Sequence, residues 1–310
     1  MKKTSELCII IAVALCTAGT ALAADRPSWP ATLPVYDHIV IVVEENKDFE
    51  QILGRTSDAP YFRKLAAEGA TFERMFAEEH FSEGNYFWLF SSSNQNVGFL
   101  DQVPSKANHP DYPFKASNLG EQLIKKGLSF KGYSESLPNI GSTVDFDPPN
   151  CRAAQCVYAR KHVPWISFAN IPNGTTVETS SNLRFADFPR DYTMPPTVAF
   201  VIPNLNNDMH NGKPAQSIPA GDTWLRQNLD DYYQWAKRYR AHQSAHRTRP
   251  AILAQVQPPA TRSSEPSRHH FCGGAYKARI ICRRKRDHAR ERPAHNRSDV
   301  RAPKFRCAAA

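Results

Sequence analysis

Two uninterrupted apolar runs dominate the hydropathy pattern of the chain. Ile39-Val40-Ile41-Val42-Val43 and Thr197-Val198-Ala199-Phe200-Val201-Ile202 lack the alternation of a strand with one wet face, so each reads as a parallel strand buried on both sides. Both stop at polar residues, Glu44-Glu45-Asn46 in the first case and Asn204 to His210 in the second. Open α/β sheets place their ligands at such carboxyl ends. Between these runs the pattern predicts a helix from about Ala59 to Glu68 closed by Gly69, then a strand over Thr71 to Ala77. Another helix begins at Phe87-Trp88-Leu89-Phe90, behind the polar segment His80 to Tyr86. Asn118 with Glu121 three residues later starts a helix that ends at Gly127, and Ser129 to Ser134 follows as a strand. Leu137 to Pro172, rich in proline and cysteine, reads mostly as loop. Asp222 is expected to cap a helix carrying Trp224, Leu225, Leu229, Tyr232 and Trp235 at helical spacing.

A chain of 310 residues is long enough for one large α/β domain or two small ones, with ample core, and its first half reads as alternating strands and helices. Charge divides the chain more sharply than length does. Residues 1–237 carry 21 Lys and Arg against 26 Asp and Glu, whereas residues 238–310 carry 18 against 4, so the net charge of +9 belongs to the tail. Residues 241–310 also hold only 8 Leu, Ile, Val or Phe, a composition in the range of disorder.

At the other end, Lys2 and Lys3 precede the apolar run Cys8 to Leu15, and Ala21-Leu22-Ala23 forms a small-x-small cleavage site before Ala24. Residues 1–23 therefore read as a secretory signal peptide. A membrane anchor is the competing reading, but the run falls short of the ~20 residues that span a bilayer. The expected location is periplasmic or secreted, with no transmembrane segment in the mature protein. In such a compartment the neighbouring Cys151 and Cys156 are expected to form a disulfide, and without further ligands at zinc spacing they make a poor metal site.

Three polar clusters carry candidate chemistry. Glu45 and Asn46 offer hard oxygen ligands for a divalent cation, or simply end a strand. Ser82 stands at the start of the helix through Phe87, where free N–H groups and the helix dipole favour a phosphate; alternatively it only caps that helix, with Asn85 at the surface. Asp208 and His210 can ligate metal or protonate a leaving group, or belong to a solvated Asn-rich loop.

In order along the chain, Tyr36 to Lys47, His80-x-Ser82-x-x-Asn85-Tyr86, Asn118-Leu119-Gly120-x-Gln122-Leu123, Gly132-Tyr133-Ser134-Glu135, Tyr158-Ala159-Arg160-Lys161-His162-x-Pro164-Trp165, Val201 to His210 and Gly221-Asp222-Thr223-Trp224-Leu225 resemble the bacterial phosphoesterases that include secreted acid phosphatases and phospholipases C. The resemblance implies an alkaline-phosphatase-like α/β sandwich with a mainly parallel central sheet and a one-metal or two-metal phosphoryl-transfer site. It makes Glu45 and Asn46 ligands of a divalent metal ion, Ser82 the nucleophile and Asn85 a donor to phosphate oxygens. Asp208, taken as a further metal ligand, and His210, taken as a catalytic residue, lie at the site as ligand, phosphate binder or proton donor, roles that the resemblance does not separate. The substrate implied is a phosphoester, either a phosphomonoester or a phospholipid. Phe81 and Gly84 replace both prolines of the usual His-Pro-Ser-x-Pro-Asn pattern.

The resemblance also implies, after the helix ending near Tyr239, an apolar strand closing on an acidic pair and later a Thr-His-x-Asn segment. These are missing. Reading each codon one base later, His269 to Arg279 is compatible with Thr-Ile-Phe-Val-Gly-Ala-His-Ile-Lys-Pro-Gly, and Asp287 to Arg297 with Ile-Thr-His-Val-Asn-Val-Leu-Arg-Thr-Ile-Glu. The tail therefore reads as out of frame from about Arg240. The expected organisation is a signal peptide over 1–23, an incomplete phosphoesterase domain over 24–240 and a basic, disordered tail over 241–310. Loss of the later strands should expose the apolar faces of the strand Val198 to Ile202 and of the helix Asp222 to Trp235. Two further readings stand beside an impaired hydrolase: a catalytically dead exported phosphate-binding protein or pseudogene product, and a binder of nucleic acid or anionic surfaces through the tail. No nucleic-acid partner is expected on the first reading.

Overall fold

The computed structural model describes residues 36–73, 75–98, 101–242 and 251–256. The signal-peptide reading of residues 1–23 and most of the tail reading lie outside them. Five parallel strands form the central sheet: β1 Ile39–Glu44, β2 Phe130–Ser134, β5 Asn182–Arg184, β6 Val198–Ile202 and β7 Ala251–Val256, in the order β5-β2-β6-β1-β7. A small antiparallel pair, β3 Phe146–Asp147 and β4 Tyr158–Ala159, lies in the loop-rich excursion, where Cys151 and Cys156 are joined as a disulfide. The helices are α1 Phe49–Leu53, α2 Pro60–Glu68, α3 Ser82–Ser91, α4 Leu119–Lys125 and α5 Pro214–His242. Among the described residues no helix is long and apolar enough to cross a membrane.

Both faces of the sheet are covered, which is why β6 carries apolar side chains at every position and β1 at every position before Glu44. Ile41, Val43, Val198, Phe200 and Ile202 join Phe87 and Phe90 of α3 with Trp165 in one core cluster. Val40, Val42, Ala199 and Val201 join Tyr61 and Phe62 of α2 with Leu225, Leu229 and Tyr232 of α5 in the other. On the first face the indole of Trp165 lies directly over Gly132, where a Cβ would stand 2.1 Å from Cζ2, and its Nε1 donates to Asn182 Oδ1 at 3.1 Å. Gly132→Ala must push a fully buried ring aside, so a loss of about 2–3 kcal/mol in denaturant unfolding is expected. An unchanged midpoint would show that the ring can yield.

Four expectations are corrected. The described residues of 71–77 form no strand, and Phe72, Met75 and Phe76 are exposed there. Asp222 does not cap its own helix, because α5 begins at Pro214 and runs through Pro219. Its carboxylate instead accepts the N–H groups of Tyr61 at 3.1 Å and Phe62 at 2.8 Å, capping the first turn of α2. The ordered fold does not end near Tyr239, since α5 reaches His242 and β7 pairs with β1 from Ile39 opposite Ala251 to Glu44 opposite Val256. Nor is the face of Val198 to Ile202 exposed: β6 lies between β1 and β2, and Trp224, Leu225, Leu229 and Tyr232 are buried.

Candidate active site

Where β1 ends, its side-chain alternation sends neighbouring acids to opposite faces of the sheet, and the Glu45 side turns toward α3. Beyond the last pairing of β1 with β6, the Glu45 N–H donates to the Asp208 carbonyl at 2.7 Å and draws the two strand-end loops together. The loop after β6 is held from below by Glu135, whose carboxylate accepts from Asn204 N at 2.8 Å and Asn207 Nδ2 at 3.0 Å. Gly221 gives α5 room beside this loop, since a Cβ there would meet Met209 Cγ at 2.5 Å.

Ser82 is the first residue of α3; the N-cap is Phe81, so the capping role considered for Ser82 falls to its neighbour. The Ser82 side chain lies near the Glu45 carboxylate and favours its charged form against the cost of burial. Asn85, one turn on, is buried and braces the loop before the helix: Nδ2 donates to the carbonyls of Glu79 at 2.7 Å and Phe81 at 3.1 Å, and Oδ1 accepts from Glu79 N at 2.9 Å. One of the two lost prolines has a structural reason. The Glu79 carboxylate, which accepts from Trp88 Nε1 and Asn94 Nδ2, lies where a Cβ at Gly84 would come within 2.1 Å of Oε2.

A histidine given no role by the sequence reading occupies the centre. His162, 1% exposed, stands between the acids, with Nε2 3.5 Å from Glu45 Oε1 and Nδ1 3.4 Å from Asp208 Oδ2. Its ring stacks on Tyr86 at 4.8 Å and meets the His210 ring edge-on at 5.8 Å. The backbone N–H of His210 donates to Asp208 Oδ1 at 2.8 Å. Glu45, Asp208 and His210 thus surround His162, with Ser82 near Glu45, whereas Asn46 is exposed and turned through a positive φ of 56°.

The site is short of positive charge. Burial raises the carboxyls of Glu44 and Glu45, raises Asp208 to about 7 and lowers His162 to about 4. Glu45 Oε1, Asp208 Oδ2 and His162 Nε2 are buried without a hydrogen-bond partner, since contacts of 3.4–3.5 Å are too long to satisfy them fully. Glu45 Oε1 and His162 Nε2 fit one edge of a cation site, because donors about 2.1 Å from a shared metal stand about 3.4 Å apart in tetrahedral geometry. Asp208 faces the other ring nitrogen. Among the described residues no group of three or more His, Cys, Asp or Glu is arranged to hold a metal, so the edge is not completed there.

Glu83, next to Ser82, is a second perturbed acid, pushed up to about 8 by burial and then by Asp101, whose carboxylate accepts the Glu83 N–H and pairs with Lys161. Its folded-state affinity for a proton exceeds that of the unfolded chain, so its contribution to stability is present below about pH 4.5 and is lost as pH rises towards 8. Glu83→Gln should therefore raise the unfolding temperature at pH 8.5 and change it little at pH 5. Equal shifts at both values would show that Glu83 is ionised throughout.

The sequence profile of the Phosphoesterase family matches residues 55–242. Ser82, Asn85, His162, Asp208 and His210 lie within that stretch; Glu45 and Asn46 precede it. The chain is 43% identical over 209 residues to a Mycobacterium tuberculosis protein named phosphatidylinositol-3-phosphatase, covering 67% of this chain and 61% of that one. It is 30% identical over 179 residues to a probable acid phosphatase of Kluyveromyces lactis, covering 57% of this chain and 39% of the relative. An acid phosphatase of Aspergillus fumigatus is 27% identical over 190 residues, with 59% and 37% covered. The chain thus spans about three fifths of the first relative and less than two fifths of the others. No solved structure matches it. With a profile match over more than half its length, this chain belongs to the Phosphoesterase family.

Proposed function

We propose that the chain derives from an exported, metal-dependent phosphoester hydrolase that uses Ser82 as its nucleophile, and that its own activity is impaired. The observation carrying this reading is Ser82 at the first position of α3, near the buried Glu45 carboxylate. At that position the free N–H groups of the first turn favour phosphoryl oxygens. Ser82 Oγ attacks phosphorus, the bond to the leaving oxygen breaks, and the hydroxyl proton passes towards Glu45. His210, half-buried at the rim, is placed to protonate the departing alkoxide. Water then cleaves the phosphoserine and returns Ser82. His162 acts by holding Glu45 and Asp208 apart, and Asn85 by fixing the loop that carries Ser82. A divalent cation held by Glu45 and His162, with Asp208 and Asn46 as further candidates, would lower the seryl pKa and neutralise charge developing on phosphorus. All three relatives are named phosphatases, which favours phosphomonoesters over phosphodiesters; the first name favours a phosphoinositide headgroup.

Acid quenching during turnover of p-nitrophenyl phosphate, followed by peptide mass spectrometry, should trap phosphate on Ser82. Turnover with phosphate on another residue, or on none, would assign the reaction elsewhere. The absence of a completed metal cluster among the described residues favours a second reading, a phosphate-binding protein without turnover. Inorganic phosphate binding with no p-nitrophenol release would select it.

A further inference from the structure

Just past the hydrogen bond that joins Glu45 to Asp208, both loops turn through left-handed residues, Asn46 at φ 56° and Met209 at φ 74°. Asn tolerates this region, but a buried Met does so only when its surroundings hold it there. The ammonium of Lys47 donates to the carbonyls of both residues, at 3.1 Å to Asn46 and 2.5 Å to Met209. Lys47 is 4% exposed, and among the described residues it forms no ion pair with a carboxylate; Asp208 and Glu45 act on it only through their field. A charge is kept out of water at this point to bind two backbone oxygens, each belonging to the residue that follows a site carboxylate.

We propose that Lys47 is a positioning residue of the site: its buried ammonium clamps the carbonyls of Asn46 and Met209 and thereby sets Glu45 and Asp208 on either side of His162. This rests on reading that site as the reaction centre. Lys47 acts through the backbone and touches no reacting atom. It is distinct from the helix-end chemistry of Ser82, and it explains how two loops with no further strand pairing hold a fixed spacing.

The test uses the full 310-residue chain with Lys47→Met, Lys47→Gln and Lys47→Arg. Two quantities are read beside circular dichroism: the imidazole nitrogen and proton NMR signals of His162, assigned with His162→Gln, and Zn2+ affinity by calorimetry. Lys47→Met and Lys47→Gln should fold, shift the His162 signals and weaken Zn2+ binding by about tenfold or more, as loss of an outer support does at metal sites. Lys47→Arg, which keeps charge and donors, should restore most of both. Folded Met and Gln variants with unchanged His162 signals would overturn the proposal. It also falls if both variants unfold, because Lys47 then serves the whole fold. If the unaltered chain binds no Zn2+, its incomplete cation edge accounts for that, and the His162 signals alone decide on Lys47.

Discussion

Purified as it stands, the 310-residue chain is expected to hydrolyse p-nitrophenyl phosphate at least about 10²-fold more slowly than a version whose reading frame is shifted by one base near codon 240, because the proposed metal-dependent reaction needs the acidic pair that the resemblance implies and this tail lacks. The profile match stops at residue 242, and the strand that follows, β7, runs from Val256 into Gln257-Pro258-Pro259 where the resemblance implies an acidic pair. Glu45 and His162 are left as one edge of a cation site with unsatisfied buried atoms. Restoring the frame should supply the acidic pair and the Thr-His-x-Asn segment, and with them turnover. If the sequence is confirmed in DNA and the 310-residue protein folds cooperatively and turns over at an enzyme-like rate, the out-of-frame reading fails as a statement about function. Aggregation is no longer expected from β6 or α5, which are covered.

Ser82→Ala in the active, frame-restored protein should lower kcat by on the order of 10³-fold or more, since the covalent step has no substitute. Divalent metal content should stay the same, because Ser82 meets the site through Glu45 rather than by holding it together. Substantial residual turnover would mean that the hydroxyl only contacts phosphate. Loss of both metal and turnover would mean that Ser82 is itself a ligand.

β1 and β6 were legible because burial on both faces leaves a continuous apolar run, and α4 because Asn118 accepts the Glu121 N–H at 2.9 Å as its sequence spacing suggests. The convergence of Glu45, Ser82 and Asp208 at strand and helix ends followed from the same patterns. Asp222 was misread because a capping residue looks alike whether it serves its own helix or another. α5 passes through Pro219-Ala220-Gly221, where a local reading places a break, and Gly221 is there for contact with Met209. β7 was hidden by averaging, since Ile252, Leu253 and Val256 are three of the tail's 8 large aliphatic or Phe residues. His162 lay in view within Arg160-Lys161-His162, yet nothing local says that this turn reaches under Glu45 and Asp208. Lys47 was likewise invisible, because its partners are backbone oxygens.

The position of β1 also bears on how the chain is made. It lies between β6 and β7, so this strand finds its two neighbours only after residue 198 and after residue 251 have been synthesised. Until then its edges have no partner, and the late pairings must repay a large loop-closure entropy. β2 and β5 can pair once residue 184 has been made, whereas β1 joins the sheet only in the later pairings. A strand left unpaired over that interval exposes backbone and apolar side chains on which chaperones or proteases can act.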